Sequence, residues 1–173
     1  MNNMKIFAII GYTNSGKTKT LVEIIKELIR RGKTVNTVKA IHIEGFSVDT
    51  EGKDSWRHQQ AGAKVTAIRS DVETALLFQK SMSAKELIPF FNADYLIFEG
   101  FTKEKDVPKI LCSTSLEDID ERFNQTVFAI SGVISKTLKE FKNVKVINGL
   151  TSTKELVDLI EKRSIKAQKL LDL

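Results

Sequence analysis

Residues 5–18 read Lys5-Ile6-Phe7-Ala8-Ile9-Ile10-Gly11-Tyr12-Thr13-Asn14-Ser15-Gly16-Lys17-Thr18. The run 5–10 is apolar, β-branched and short, the signature of a buried strand. Residues 11–18 match the phosphate-loop pattern G-x-x-x-x-G-K-[ST]. Each position has a physical task. Glycines let the backbone wrap close, with dihedrals that a side chain would forbid. The N–H groups of Thr13, Asn14, Ser15 and Gly16 are then expected to point at phosphate oxygens, at the positive end of the following helix. Lys17 adds a full charge at the β- and γ-phosphates, and the Thr18 hydroxyl is placed to ligate Mg²⁺. The context a true phosphate loop requires, a strand before it and a helix after it, is present.

Outward from this stretch the chain alternates. Leu21, Ile24, Ile25, Leu28 and Ile29 follow the template of an amphipathic helix. Arg30 and Arg31 suit its C-terminal dipole, and Gly32 supplies the stop. A β-branched run at 34–41 completes a βαβ unit. Residues 42–53 read as a glycine-bearing loop, and Asp54 or Ser55 as the cap of a short helix reaching Ala61. Segments 64–68 and 72–78 read as strands of a hairpin. Ser83-Ala84-Lys85-Glu86 fits a capping box for a short helix limited by Pro89. The run 95–98 has the character of a central parallel strand. Strands are also expected at 107–112, 126–130 and 144–147. A second capping box, Ser152–Glu155, opens a helix carrying Leu156, Val157 and Ile160. The pattern predicts one α/β domain over residues 1–173. The expected architecture is a P-loop NTPase-like three-layer fold with a mainly parallel, mixed central sheet, the 64–78 hairpin supplying the antiparallel part.

Composition bounds the function classes. The length of 173 residues suits about one domain, taking ~150 residues per domain. Hydrophobic residues are 42% and charged residues 28%, ordinary for a globular chain. One cysteine excludes a disulfide framework and any CxxC site. No secretory signal pattern and no apolar run long enough to span a bilayer is visible, so a cytoplasmic protein without membrane contact is expected. The net charge of +5 is concentrated in residues 1–33, which hold seven Lys/Arg and two Glu. Phe7 and Tyr12 alone make no pattern of aromatic residues interleaved with those cations for base stacking, so nucleic acid is not an expected partner.

A phosphate loop needs an acid on a neighbouring strand to organise metal or water. Glu99 at the end of the 95–98 run offers it, as a candidate catalytic and metal-side group. Asp49, in the 42–53 loop, is a candidate Mg²⁺ ligand or a solvated loop acid. Lys109, after Pro108, faces either the phosphates or solvent and is a candidate cofactor contact. His42 has no partner spacing for a zinc site. Cys112 reads as a small buried hydrophobe. Residues 131–135 are either a base-reading loop or a plain turn.

Taken together the chain resembles the MobB-type adaptors of molybdopterin-guanine dinucleotide synthesis. Residues 52–63 (Gly52-Lys53-Asp54-Ser55 through Ala61-Gly62-Ala63) are similar to the family's GKDS…AGA block. Glu99-Gly100-Phe101 with Pro108-Lys109-Ile110 is similar to its EGF…PKI segment. The family's lysine and histidine-rich run is reduced here to Lys39 and His42. The resemblance implies a homodimer that binds GTP with Mg²⁺ and is at most a slow GTPase. Its partner would be the guanylyltransferase that joins GMP to molybdopterin, with molybdopterin itself close by. It also favours a functional role for Asp54, a candidate catalytic acid sharing a helix face with His58. A small P-loop kinase is the alternative, with Asp49, Asp54 or Glu99 as its base. Against it, the arginines form no lid-like cluster.

Overall fold

The computed structural model describes residues 3–172. In chain order the elements are β1 (Lys5–Gly11), α1 (Lys17–Arg30), β2 (Val35–Lys39), α2 (Asp54–Gln60), β3 (Val65–Arg69), β4 (Thr74–Phe78), α3 (Ala84–Leu87), β5 (Tyr95–Glu99) and β6 (Lys109–Cys112). They continue with α4 (Leu116–Arg122), β7 (Val127–Ser131), β8 (Glu140–Phe141), β9 (Val144–Lys145), α5 (Thr153–Arg163), β10 (Ile165–Lys166) and α6 (Ala167–Leu171). These elements form two compact units. The first holds the chain up to Ala40 and again from Ala84 onward, and the second is Ile41–Ser83.

The first unit is built on a sheet of order β2-β5-β1-β6-β7, every neighbouring pair parallel. β1 lies at its centre because its residues are apolar on both faces, as a strand covered from both sides must be. Ile6, Ala8 and Ile10 face one layer, with Leu96, Phe98, Leu111, Ile119 and Leu170. Phe7 and Ile9 face the other, where α1 supplies Leu21, Ile24 and Leu28 and α5 supplies Leu156, Val157 and Ile160. The helix stripe read from the sequence is therefore the buried face of α1, except that Ile29 stays exposed. α1 stops where predicted: Gly32 takes a φ of 74°.

Several local expectations need correcting. The hairpin is not part of the central sheet. β3 and β4 pair only with each other, Val65 opposite Phe78 and Ala67 opposite Leu76, inside the second unit. What makes the main sheet mixed is β10, which runs antiparallel to the start of β1. Helix α4 was not expected. Its cap is legible in hindsight, since the Ser115 hydroxyl accepts the Asp118 amide at 3.2 Å. Ser152 precedes α5 without making a side-chain cap bond. Asn148 holds that turn instead, its Oδ1 accepting the Leu150 and Thr151 amides at 3.0 and 3.2 Å. At α2 the residue before the helix is Lys53, so neither Asp54 nor Ser55 is the cap, and the helix closes at Gln60.

Candidate functional site: the loop between β1 and α1

In a parallel sheet, ligands bind beyond the carboxyl ends of the strands. β1 ends there at Gly11, level with Cys112 of β6. Gly11 has φ 146°, and a Cβ at that position would lie 2.1 Å from the Cys112 carbonyl oxygen, so only glycine fits. The loop then turns on itself. The Ser15 hydroxyl, fully buried, donates to the Tyr12 carbonyl at 2.8 Å. Asn14 and Gly16 both take positive φ, 63° and 86°. Among the described residues, the backbone N–H groups of Thr13, Asn14 and Gly16 meet no protein acceptor. Adjacent amides in such mixed-handed turns form a concave donor surface suited to an anion.

Two side chains complete the loop. Lys17 folds back so that its ammonium donates to the Gly11 carbonyl at 3.3 Å. Thr18, one residue into α1, donates its hydroxyl to Glu99 Oε1 at 3.3 Å. Glu99 is 6% exposed at the end of β5, and Lys39 at the end of β2 brings its ammonium to 4.0 Å from the same oxygen. Three strand or helix ends thus converge on one carboxylate beside the loop. Thr18 and Glu99, expected on one metal side from the sequence, are together here.

The segment 131–135 has a task that its sequence left open. The Val133 amide donates to the Ser15 carbonyl at 3.1 Å. Gly132, at φ 85°, packs so tightly that a Cβ would sit 2.2 Å from that same carbonyl oxygen. It is a brace that presses on the back of the phosphate loop. Ser131 in turn accepts the Gly149 amide at 3.1 Å, and Gly149 lies against Thr20 of α1.

Lys109 is 1% exposed, and it pairs with Ala8 rather than with the end of β1. Its ammonium donates to the Glu104 carbonyl, to the Val107 carbonyl at 3.0 Å and to Thr126 Oγ1 at 3.0 Å. These partners lie at the amino ends of β6 and β7, so the Lys109 ammonium meets neither the phosphate loop nor solvent, the two alternatives open in the sequence, and its role is structural. Burial pushes its pKa down, partly offset by Glu104 and Asp106. Asp49 belongs to the second unit, where both its oxygens are already engaged. Oδ1 accepts from the Thr50 amide and the Ser55 hydroxyl, and Oδ2 from the Gln59 side chain. Within that unit Asp49 organises its own loop. Among the described residues Asp54, with a side chain 93% exposed, faces only Arg57, at 4.0 Å. His42 and His58 are in the second unit too. Among the described residues no three His, Cys, Asp or Glu side chains gather as a metal cluster. Burial raises the Cys112 thiol to about 12, so it stays protonated and inert.

Comparison with known proteins agrees with this architecture. The family model described as "Molybdopterin guanine dinucleotide synthesis protein B", MobB, matches residues 6–136. The molybdopterin-guanine dinucleotide biosynthesis adapter protein of Haemophilus influenzae is 36% identical over 130 residues, 69% of this chain and 72% of that protein. The probable adapter protein of Bacillus subtilis is 31% identical over 130 residues, 72% of this chain and 74% of its own. The crystal structure of Bacillus subtilis MobB superposes with a TM-score of 0.74 at 27% identity, covering 94% of this chain and 99% of that one. A phosphate loop between β1 and α1, the parallel sheet that carries it and these matches lead to one conclusion: the chain belongs to the MobB family and has its P-loop NTPase-like α/β fold.

Proposed function

We propose that this chain is an adapter of molybdopterin-guanine dinucleotide biosynthesis that binds GTP and Mg²⁺ on the loop Gly11–Thr18. It presents that nucleotide to the guanylyltransferase which couples GMP to molybdopterin, and is itself at most a slow GTPase. The adapter role follows the names of its relatives. The observation that carries the nucleotide reading is the loop itself. Among the described residues three of its amides meet no protein acceptor, and Lys17 and the Thr18–Glu99 pair adjoin them.

The donor set fits the proposed cofactors. Thr13, Asn14, Ser15, Gly16 and Lys17 would hold the phosphates, the amides as dipoles and the lysine as a point charge. Mg²⁺ prefers one or two protein oxygens together with phosphate oxygens and water, and Thr18 and Glu99 supply that number. Lys39 sets a positive charge 4.0 Å from the same Glu99 oxygen.

The second unit supports a homodimer. On β3 and β4, Val65 (46% exposed) and Leu76 (56%) share one face with Ala67 and Phe78. A two-stranded sheet with an apolar face in water is marginal, and a second copy of the same face would cover it. No helix among the described residues is long and apolar enough to cross a membrane, and a cytoplasmic site of action is part of the proposal.

The test is a calorimetric titration of GTP and of ATP, each with Mg²⁺, on the wild type and on Lys17→Ala. GTP binding by the wild type, weakened about a hundredfold or more in the variant, is the expected result, because a charge-assisted contact to two phosphates is removed. Equal affinity in the two proteins would overturn the nucleotide reading.

A further inference from the structure

Arg122 ends α4, far in sequence from the phosphate loop, yet it lies against it. Its guanidinium carbon stands 3.8 Å from the centroid of the Tyr12 ring, the first side chain after Gly11. Its Nη1 donates to Thr102 Oγ1 at 3.3 Å, three residues beyond Glu99. The neighbouring Glu121 carboxylate accepts the Tyr12 hydroxyl. Asp118, one turn earlier in α4, is occupied by Thr114, whose hydroxyl donates at 2.6 Å. Among the described residues Arg122 makes no salt bridge, and its Nε is buried with no hydrogen-bond partner.

This is an unusual position for an arginine. A half-buried cation is ordinarily paired, and a buried unpaired donor costs free energy. Here the partners are a ring and a hydroxyl, both neutral. The planar fork of donors is suited to a tetrahedral oxyanion, and stacking on an aromatic face pre-sets its orientation. The two segments it touches directly follow β1 and β5, the strands whose carboxyl ends lead into the Gly11–Thr18 loop and Glu99.

We propose that Arg122 is the cationic half of an anion subsite beside the phosphate loop, and that the missing counter-ion is a phosphate group of a ligand. This rests on the nucleotide reading above. One phosphate chemistry has two sources here, the γ-phosphate of the triphosphate on the loop or a monoester phosphate on a second ligand.

Arg122→Ala and Arg122→Lys are compared with the wild type, and circular dichroism verifies that both remain folded. Calorimetry measures GTP, GDP, and inorganic phosphate added to the GDP·Mg²⁺ complex. Loss of about tenfold or more in GTP affinity in Arg122→Ala, with GDP unchanged, assigns the γ-phosphate. Unchanged GTP and GDP with loss of inorganic phosphate binding assigns the second ligand. Arg122→Lys should recover part of either effect, because the charge returns without the fork. Equal weakening of GTP and GDP means that Arg122 only props the loop, and it overturns the proposal. No change in any of the three overturns it too, while Lys17→Ala still reports separately on the nucleotide reading. If the wild type binds neither nucleotide, that reading fails by itself. Inorganic phosphate alone then decides the subsite: binding that Arg122→Ala abolishes supports it, and no binding ends it.

Discussion

Glu99 and Lys109 are the two residues whose outcomes separate most cleanly what side-chain type foretells and what placement adds. Glu99 stands at the end of an apolar strand, and that position alone brings it next to the loop, because neighbouring parallel strands end at the same level. Glu99→Gln keeps the shape and removes the charge. GTP affinity should stay within about threefold of wild type, while the Mg²⁺ dependence of binding and any GTP hydrolysis should fall by about tenfold or more. Steady-state phosphate release at varied Mg²⁺ measures both, and an unchanged Mg²⁺ profile would reduce Glu99 to a structural acid. Lys109 also stands on a strand, but its ammonium is tied to the carbonyls of Glu104 and Val107. Lys109→Met should leave nucleotide affinity as it is and cost about 1–3 kcal/mol of stability, since those carbonyls lose their donor. Urea unfolding together with the GTP titration checks it, and a lost affinity would return Lys109 to the site. The sequence offered phosphates or solvent for Lys109, and the direction of its side chain gives neither.

At the scale of elements, α1 and α5 are held together by more than their apolar stripes. Glu27 accepts from Arg30 at 2.7 Å and from Arg31 at 2.8 Å, and Arg31 continues to Asp158 of α5 at 2.7 Å. The hydrogen bonds from Arg30 and then Arg31 lower the Glu27 carboxyl from its ordinary 4.5 to about 2. A carboxyl with a depressed folded pKa stabilises the fold above its unfolded value, and the contribution fades as pH falls toward the folded one. The stability difference between wild type and Glu27→Gln should therefore be constant above pH 5 and shrink between about pH 4.5 and pH 2. Thermal unfolding across that range checks it, and a difference independent of pH would remove the charge from the account. The hairpin makes its prediction at the same scale. Leu76→Asp places a charge on the exposed apolar face of β3 and β4. Sedimentation at micromolar concentration should show a homodimer in the wild type and a folded monomer in the variant. A dimer that persists unchanged would exclude this face as the interface.

For the molecule as a whole, the sequence alone determined the βαβ core, the loop Gly11–Thr18, the acid at Glu99 and the family. These are set by local periodicity and by short motifs: a buried strand must be apolar on both faces, and a backbone that wraps an anion needs glycine at fixed spacing. Nearly every strand was legible for the same reason. What only the tertiary structure decided has in each case a long-range cause. The hairpin was readable as two strands, but strand pairing carries no address, so its separation from the main sheet was not. The antiparallel β10 joins β1 across almost the whole chain. The brace at Gly132 acts through a carbonyl of Ser15, and Arg122 meets Tyr12 through a ring contact between residues distant in sequence. Neither leaves a periodic trace, because the pairing partner is chosen by the packed sheet rather than by the neighbouring residues.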